Sequence, residues 1–197
     1  MMQGNGMRRS VRTAAVAGAA LATAVFGFTG PAQAAPVDDG AYFQIKPEHT
    51  RGNTCLDVAN ISTAHGADVL QGSCWNGPNQ QWRIQWVTGG YFEIKAQHSG
   101  KCLDVAYAST AHGANVIQAD CRGRANQLWR FVVETAGSPR TVGRPAVNQF
   151  VQIRPMHSSS MCLDVANLSI AHGADVVQGG CWNGPNQRWR FVLPGQL

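Results

Sequence analysis

Three aspartates recur in the same short phrase, Cys-Leu-Asp-Val, and each is followed 22 residues later by an Asn-Gln pair. A carboxylate accepts hydrogen bonds from neighbouring hydroxyl groups, while carboxamides both donate and accept. Together these groups suit a ligand that is rich in hydroxyls. The three sets are Asp57, Asn79 and Gln80; Asp104, Asn126 and Gln127; and Asp164, Asn186 and Gln187.

The same residues have a purely structural interpretation. Aspartates of this kind brace turns, and Asn and Gln side chains satisfy backbone groups between strands. We favour a binding role for the aspartates, whereas for the glutamines both interpretations stay open.

Two tryptophans are candidates for an apolar face beside these polar groups. Trp75 and Trp182 directly follow a cysteine and open an Asn-Gly-Pro loop, which is not a typical core environment. Aromatic rings offer a flat apolar surface on which the C–H face of a ligand stacks. The alternative is that both rings lie on the protein rim and shield a disulfide. The second copy of the loop has Arg122 instead, so we expect two good sites and a poorer one there.

The elements that must position these residues are encoded by a sequence segment that occurs three times. It runs from Cys55 to Trp82, from Cys102 to Trp129 and from Cys162 to Trp189. The copies define three repeats, here called repeats one, two and three, at about residues 41–86, 87–133 and 148–193. Residues 134–147, rich in Pro and Gly, predict an irregular insertion.

Within each repeat the apolar residues alternate with polar ones, which indicates half-buried strands. Four short strands per repeat predict an all-β fold of twelve strands. One repeat is too small to bury its own apolar face, so the three must share a core about a pseudo-threefold axis. We expect Trp82, Trp129 and Trp189 to be equivalent members of that core.

The six cysteines fall into three pairs separated by 19 positions. Six cysteines allow 15 connectivities, but three equivalent repeats most simply form three equivalent local bridges. The predicted disulfides are therefore Cys55–Cys74, Cys102–Cys121 and Cys162–Cys181.

The first 34 residues are typical of a secretory signal peptide, with Arg8, Arg9 and Arg12 before an uncharged run and Ala32-Gln33-Ala34 as the cleavage signal. A membrane anchor and twin-arginine export are the weaker alternatives. The leader holds three of the sixteen basic residues and none of the eleven acidic ones, so residues 35–197 carry a net charge of +2. We therefore expect a secreted protein with no membrane span and no nucleic-acid partner.

Three repeats that each end in Gln-x-Trp, in register with three Cys-Leu-Asp boxes, resemble the ricin-type β-trefoil lectins. The resemblance covers residues 35–197 and implies a β-trefoil, with up to three shallow sugar sites. It implies that the Asp is the main sugar ligand and that the Asn-Gln pair adds hydrogen bonds. Galactose-type or xylan-type glycans would be the ligands of a monomeric, non-catalytic protein without metal or cofactor.

One position departs from the family pattern. Its usual stacking aromatic, two residues before the second cysteine, is replaced by Gly72, Ala119 and Gly179. Three hypotheses follow: a carbohydrate-binding module, a protein-interaction module that uses the loops and the insertion, or a glycosidase. The last is the weakest, because the aspartates belong to different repeats and should lie too far apart to act as a pair.

Three histidines also recur, each in Ala-His-Gly, at His65, His112 and His172. A zinc site on the threefold axis is one interpretation. We prefer a loop role at the periphery, with a hydrogen bond to a ligand.

Overall fold

The structure is a computed structural model that describes Met1 and residues 35–37, 39–135 and 138–196. Among these residues it has thirteen strands, no α-helix and five single-turn 3-10 helices, at Ala59–Ile61, Pro78–Gln80, Ala106–Ala108, Ala125–Gln127 and Ala166–Leu168. The strands are β1 Gln44–Pro47, β2 Thr54–Val58, β3 Val69–Ser73, β4 Trp82–Thr88, β5 Tyr91–Ala96, β6 Cys102–Val105, β7 Ala114–Ala119, β8 Trp129–Thr135, β9 Ser138–Val142, β10 Gln152–Pro155, β11 Met161–Val165, β12 Ala174–Gly180 and β13 Trp189–Val192.

Six strands close into a barrel. The ladders β4–β5, β8–β10 and β13–β1 join the last strand of each repeat to the first strand of the next. The bridges Phe43↔Trp82 and Val151↔Trp189 and the pair Phe92↔Trp129 join the first and last strands within each repeat. Since every barrel strand has two neighbours, the barrel leaves no open sheet edge.

Three hairpins cap one end of the barrel. They are formed by β2 and β3, by β6 and β7, and by β11 and β12. The hairpins pair with one another through β3–β12, β7–β12 and the bridge Asp68↔Ile117. This is the predicted β-trefoil.

The barrel interior is the hydrophobic core. Trp82, Trp129 and Trp189 are at most 1 % exposed, and each indole N–H donates to a leucine carbonyl in the Cys-Leu-Asp box at 2.9–3.0 Å. The rings of Phe131 and Phe191 pack edge to face at 5.4 Å across the interior. The three tryptophans therefore anchor each hairpin to the barrel, as their position in the repeat predicts.

The insertion is more regular than expected. Pairs from Thr135↔Ser138 to Phe131↔Val142 join β9 to β8 in an antiparallel hairpin. The prediction of an irregular spacer over 134–147 is therefore wrong for 138–142, because the backbone there pairs with the end of β8 that extends beyond its pairing with β5 at Trp129. The predicted signal peptide, residues 1–34, lies outside the described residues apart from Met1. None of the described helices has the length and apolar character needed to cross a membrane.

All three predicted disulfides are formed. Cys55–Cys74, Cys102–Cys121 and Cys162–Cys181 have Cα–Cα distances of 5.1–5.3 Å. Each ties the start of one hairpin strand to a cysteine one or two residues after the end of the other strand. The loop that follows, with Trp75, Arg122 or Trp182, is thereby held beside the aspartate of the same hairpin.

Candidate functional site

Each Cys-Leu-Asp carboxylate is held by its own Asn-Gln pair. In repeat one, Asn79 Nδ2 donates to Asp57 Oδ1 at 2.6 Å and Gln80 Nε2 donates to Asp57 Oδ2 at 2.5 Å. The same bonds measure 2.8 and 2.7 Å on Asp104 and 2.6 and 2.5 Å on Asp164. The predicted residues of each set are therefore brought together within one repeat.

The glutamine is committed entirely to the protein. Gln80 Nε2 also donates to the Ser73 carbonyl at 2.8 Å, and Gln80 Oε1 accepts the Trp75 backbone N–H at 2.9 Å. Equivalent bonds fix the glutamines of repeats two and three. Gln80, Gln127 and Gln187 are at most 2 % exposed, which favours positioning of the aspartate and loop over direct contact with a ligand.

In repeats one and three, one polar atom of the asparagine side chain lacks a hydrogen-bond partner in the described part of the chain. Asn79 Nδ2 also donates to the Val58 carbonyl at 3.1 Å, but the Oδ1 atoms of Asn79 and Asn186 are buried without a partner among the described residues. A buried acceptor that lacks a donor is costly unless a ligand or water supplies one. In repeat three this asparagine, Asn186, lies in the lining of a cavity together with Asp164.

The three aspartates are buried. Asp57, Asp104 and Asp164 are only 5–6 % exposed, and the latter two form part of the lining of cavities. Burial raises the pKa of all three above the ordinary value of 3.8, because desolvation penalises the charged form. The hydrogen bonds from Gln and Asn oppose this pKa shift. The carboxylates are therefore recessed acceptors rather than outward-facing ones.

The missing aromatic of the family pattern has a local cause. A Cβ built at Gly72 would collide with Asp57 Oδ2, and one at Gly179 would collide with Asp164 Oδ2. The carboxylate thus occupies the space over the glycine. Ala119 holds this position in repeat two, where the bonds to Asp104 are the longest of the three sets.

Trp75 and Trp182 lie flat over glycines of their own loops. A Cβ added at Gly77 would meet the Trp75 ring, and one at Gly184 would meet the Trp182 ring. Both tryptophans nevertheless remain 56–58 % exposed. Each ring therefore has one face against the backbone and substantial surface left for a ligand.

Each of the three recurrent histidines accepts a hydrogen bond from a neighbouring repeat. The Nδ1 atoms of His65, His112 and His172 accept the backbone N–H of Asp120, Gly180 and Ser73 at 3.0–3.2 Å. His65 lines the cavity of Asp104, and His112 lines the cavity of Asp164. The sites are thus assembled across repeat boundaries, which a single-repeat motif does not reveal.

Buried glutamines fasten the histidine loops. Gln178 Nε2 donates to the carbonyls of Ser109 and Ala111 at 2.9 and 3.0 Å, directly before His112. Gln71 and Gln118 make the equivalent bonds to the other two loops. These three glutamines, all fully buried, position the histidines of the adjacent repeat.

The metal interpretation receives no support from this arrangement, because His65 and His112 line separate cavities and the Nδ1 atom of each of the three histidines accepts a backbone N–H. Among the described residues, the one cluster with metal-ligating atoms in reach is Glu93 with Cys102 and Cys121. Those two cysteines are bonded to each other and offer no thiolate.

The two cavities differ in size. The repeat-three cavity, about 420 Å³, is lined by Asp164, Asn186, Trp182 and, from repeat two, His112. The repeat-two cavity is about 910 Å³. Repeat two was expected to hold the poorest site because it lacks the tryptophan, yet it has the larger of these two cavities.

An aromatic residue that the motif comparison missed lines the repeat-two cavity. Tyr107 is fully exposed and has a left-handed backbone with φ of 57°. The equivalent residues Asn60 and Asn167 have φ values of 56° and 57°. Asn tolerates this conformation better than Tyr does. The sequence signal for this residue was a Tyr at a position where the other two repeats have Asn.

Comparisons with known proteins agree with the fold. Three segments, 28–119, 78–152 and 125–196, match the family model described as ricin-type beta-trefoil lectin domain-like. None of the curated protein sequences compared with the chain matches it.

Solved structures include similar molecules of several kinds. The designed 3-fold symmetric protein ThreeFoil is 42 % identical over 77 % of this chain and 97 % of its own, with a TM-score of 0.67. An exo-β-1,3-galactanase from Clostridium thermocellum is 27 % identical, with a TM-score of 0.68 over 80 % of this chain and 31 % of its own. The Macrolepiota procera ricin B-like lectin, solved with lactose, is 18 % identical over 80 % of this chain and 99 % of its own, with a TM-score of 0.61, and shows the fold alone.

The family match extends over most of the chain and coincides with the three-hairpin barrel and its three aspartate sites. This chain belongs to the ricin-type beta-trefoil lectin domain-like family.

Proposed function

We propose that the protein is a secreted, non-catalytic carbohydrate-binding protein that binds glycans weakly at each site and more strongly when several sites engage one polymer or cell surface. The observation that carries the proposal is the repeat-three cavity. It combines the Asp164 carboxylate, the unpartnered Asn186 Oδ1 and the exposed Trp182 ring. Acceptors beside an apolar face match the hydroxyls and C–H surface of a sugar.

Asp57, Asp104 and Asp164 act as the principal acceptors in this proposal, with Asn79, Asn126 and Asn186 as second acceptors. Trp75 and Trp182 provide stacking surfaces. The histidine of the adjacent repeat donates from Nε2, because its Nδ1 accepts a backbone N–H. Gln80, Gln127 and Gln187 position the carboxylates.

The absence of catalysis is part of the proposal. Glycoside hydrolysis ordinarily needs two carboxyl groups that flank one bond. Asp164 is the sole carboxylate in the lining of the repeat-three cavity. Its nearest partners are amide donors, which hold it as an acceptor and not as half of an acid–base pair.

Export and multivalency rest on two further features. Three disulfides are typical of proteins from oxidising compartments. Three equivalent aspartate sites on one rigid fold allow avidity, which raises apparent affinity without any new contact.

The test is a glycan array, read with the oxidised protein and with the variant Asp57→Ala/Asp104→Ala/Asp164→Ala. Galactose-type and xylan-type glycans are the first candidates. We expect binding by the native protein and its loss in the triple variant. The control is Asp39→Ala, since Asp39 pairs with Arg144 and lines neither cavity. Thermal unfolding of each variant shows whether it is still folded, so that a loss of binding can be distinguished from a loss of structure. Binding to a protein partner that survives the triple variant would favour an interaction module instead.

A further inference from the structure

The loop after the second cysteine has been rebuilt as a unit in repeat two. In repeats one and three its tryptophan lies over a glycine two residues later, where any side chain would collide with the indole. Repeat two has Arg122 in place of the tryptophan and Arg124 in place of that glycine. Since the ring is absent, the glycine is no longer required, and two cations replace a stacking surface.

Both arginines are exposed and line the repeat-two cavity. Among the described residues, neither guanidinium forms a salt bridge within 4.0 Å; the ion pairs present involve other arginines. A guanidinium matches the two oxygens of a carboxylate in a bidentate geometry. The loop therefore presents two unpaired anion-binding groups at the mouth of a cavity.

The acidic groups of this cavity are in part already engaged. Asp120 forms a salt bridge with Lys101 at 2.6 Å, and Asp104 accepts from Asn126 and Gln127. Asp68 is the remaining carboxylate of the lining, and it is exposed. Arg122 also interacts electrostatically with Asp120, but neither arginine forms an ion pair with a carboxylate of this lining, so both guanidinium groups can bind a ligand.

Tyr107 supplies the aromatic surface that the loop lost. It stands on the lining of the same cavity with its side chain fully exposed. A tyrosine in the left-handed region is strained, and such strain concentrates at functional sites. The aromatic side chain of repeat two therefore comes from the 3-10 turn Ala106–Ala108 and not from the loop after Cys121.

We propose that the repeat-two cavity is a site for carboxylated sugars, in which Arg122 and Arg124 bind the sugar carboxylate and Tyr107 stacks on the ring. This proposal rests on the carbohydrate-binding function and names the ligand class of one of its sites. The cavity has about twice the volume of the repeat-three cavity, 910 against 420 Å³, so it takes an oligosaccharide.

The experiment is isothermal titration of the oxidised protein with two matched pairs of ligands at low salt. Trigalacturonate is compared with galactotriose, and 3′-sialyllactose with lactose, so that the two sources of sugar carboxylate are distinguished. We expect at least one acidic ligand to bind about tenfold more tightly than its neutral counterpart, as charge-assisted bonds are stronger than neutral ones. The preference should shrink as salt screens the charges.

Variants then localise the preference. Arg122→Gln/Arg124→Gln should abolish it, as should Arg122→Trp/Gly123→Asn/Arg124→Gly/Ala125→Pro, which rebuilds the loop of repeats one and three. Arg51→Gln/Arg140→Gln removes the same charge from exposed positions outside the cavity and should retain it. Tyr107→Asn should weaken binding of the acidic ligand.

Neutral binding without any acidic preference would overturn this proposal and leave the carbohydrate-binding function standing. A preference that survives Arg122→Gln/Arg124→Gln would overturn it equally. If no sugar of either kind binds, the proposed function fails together with it.

Discussion

His172 belongs to repeat three, yet its Nδ1 atom accepts a hydrogen bond of 3.0 Å from the backbone N–H of Ser73 in repeat one. A neutral imidazole that accepts at Nδ1 carries its proton on Nε2. Threefold repetition gives His65 and His112 the same arrangement toward repeats two and three. Each site therefore depends on a side chain from another copy of the motif.

The first prediction concerns this exchange. His112→Ala, a change in repeat two, should weaken sugar binding at repeat three by about two- to tenfold, the effect of one lost hydrogen bond. The indole N–H resonance of Trp182, followed by NMR during a sugar titration, reports that site. His65→Ala serves as the comparison, because His65 lines the other cavity. Equal weakening of the Trp182 response by both changes would contradict the assignment.

Trp182→Ala tests the stacking surface. We expect a roughly tenfold loss of affinity at repeat three, because an aromatic contact contributes about 0.5–1.5 kcal/mol beyond the burial of its area. Trp86→Ala is the matched control, since Trp86 is 55 % exposed, like Trp182 at 58 %, but lines neither cavity. Calorimetric titration of the two variants measures the difference. A similar loss in both would mean that Trp182 has no special role.

Acid should affect binding and stability in opposite directions. The pKa of each aspartate is raised by burial above 3.8. The stabilising contribution of such a group is fully present below the unfolded-state pKa and is lost as pH rises through the folded-state pKa. Acceptance of sugar hydroxyls instead needs the ionised form, so affinity falls as pH drops through that same raised pKa.

Paired titrations and urea unfolding at several pH values above 3.8 would show this divergence. The double variant Asp57→Asn/Asp164→Asn should lose most of the pH dependence of affinity and of stability, and only the part due to Asp104 should remain. An affinity that stays constant as the pH is lowered to 3.8 would contradict the proposed role of the carboxylates.

Restoring the family aromatic should harm this protein. In Gly179→Trp the indole would need the space that Asp164 Oδ2 occupies, so we expect lower stability and lost binding at repeat three. Gly179→Ala is the milder comparison, because its Cβ displaces Asp164 Oδ2 alone and Ala119 occupies the equivalent place in repeat two, so it should destabilise the protein less than Gly179→Trp does. Denaturant unfolding and sugar titration measure both effects. A gain of affinity in Gly179→Trp would show that the carboxylate moves aside easily.

Much of the fold follows from repetition in the sequence. Three copies of one segment predicted the three local disulfides and the role of Trp82 and its equivalents, because these features lie within one repeat. They also predicted the shared core, because one repeat is too small to bury its own apolar face. The extra strand β9 was missed because it pairs with the end of β8 that extends beyond the barrel ladder, and the Pro and Gly of the insertion gave no sign of a strand.

The site was predictable only in part. The Asp and its Asn-Gln partners share one repeat, so their association could be inferred from the motif. The recessed position of Asp57 and the loop contact of His172 depend on how neighbouring hairpins meet, which no local pattern encodes. Tyr107 was not predicted as a site residue, because a single difference among three repeats could be interpreted only once the neighbouring cavity was known.

The barrel is completed by a ladder between β1, near the start of the trefoil, and β13, Trp189–Val192. During synthesis, a ribosome has therefore released nearly the whole trefoil before its first strand can find its last partner. Until then β1 and β10, the two neighbours of β13, each have an unpaired edge that a chaperone can bind, and premature termination before Trp189 leaves the barrel open.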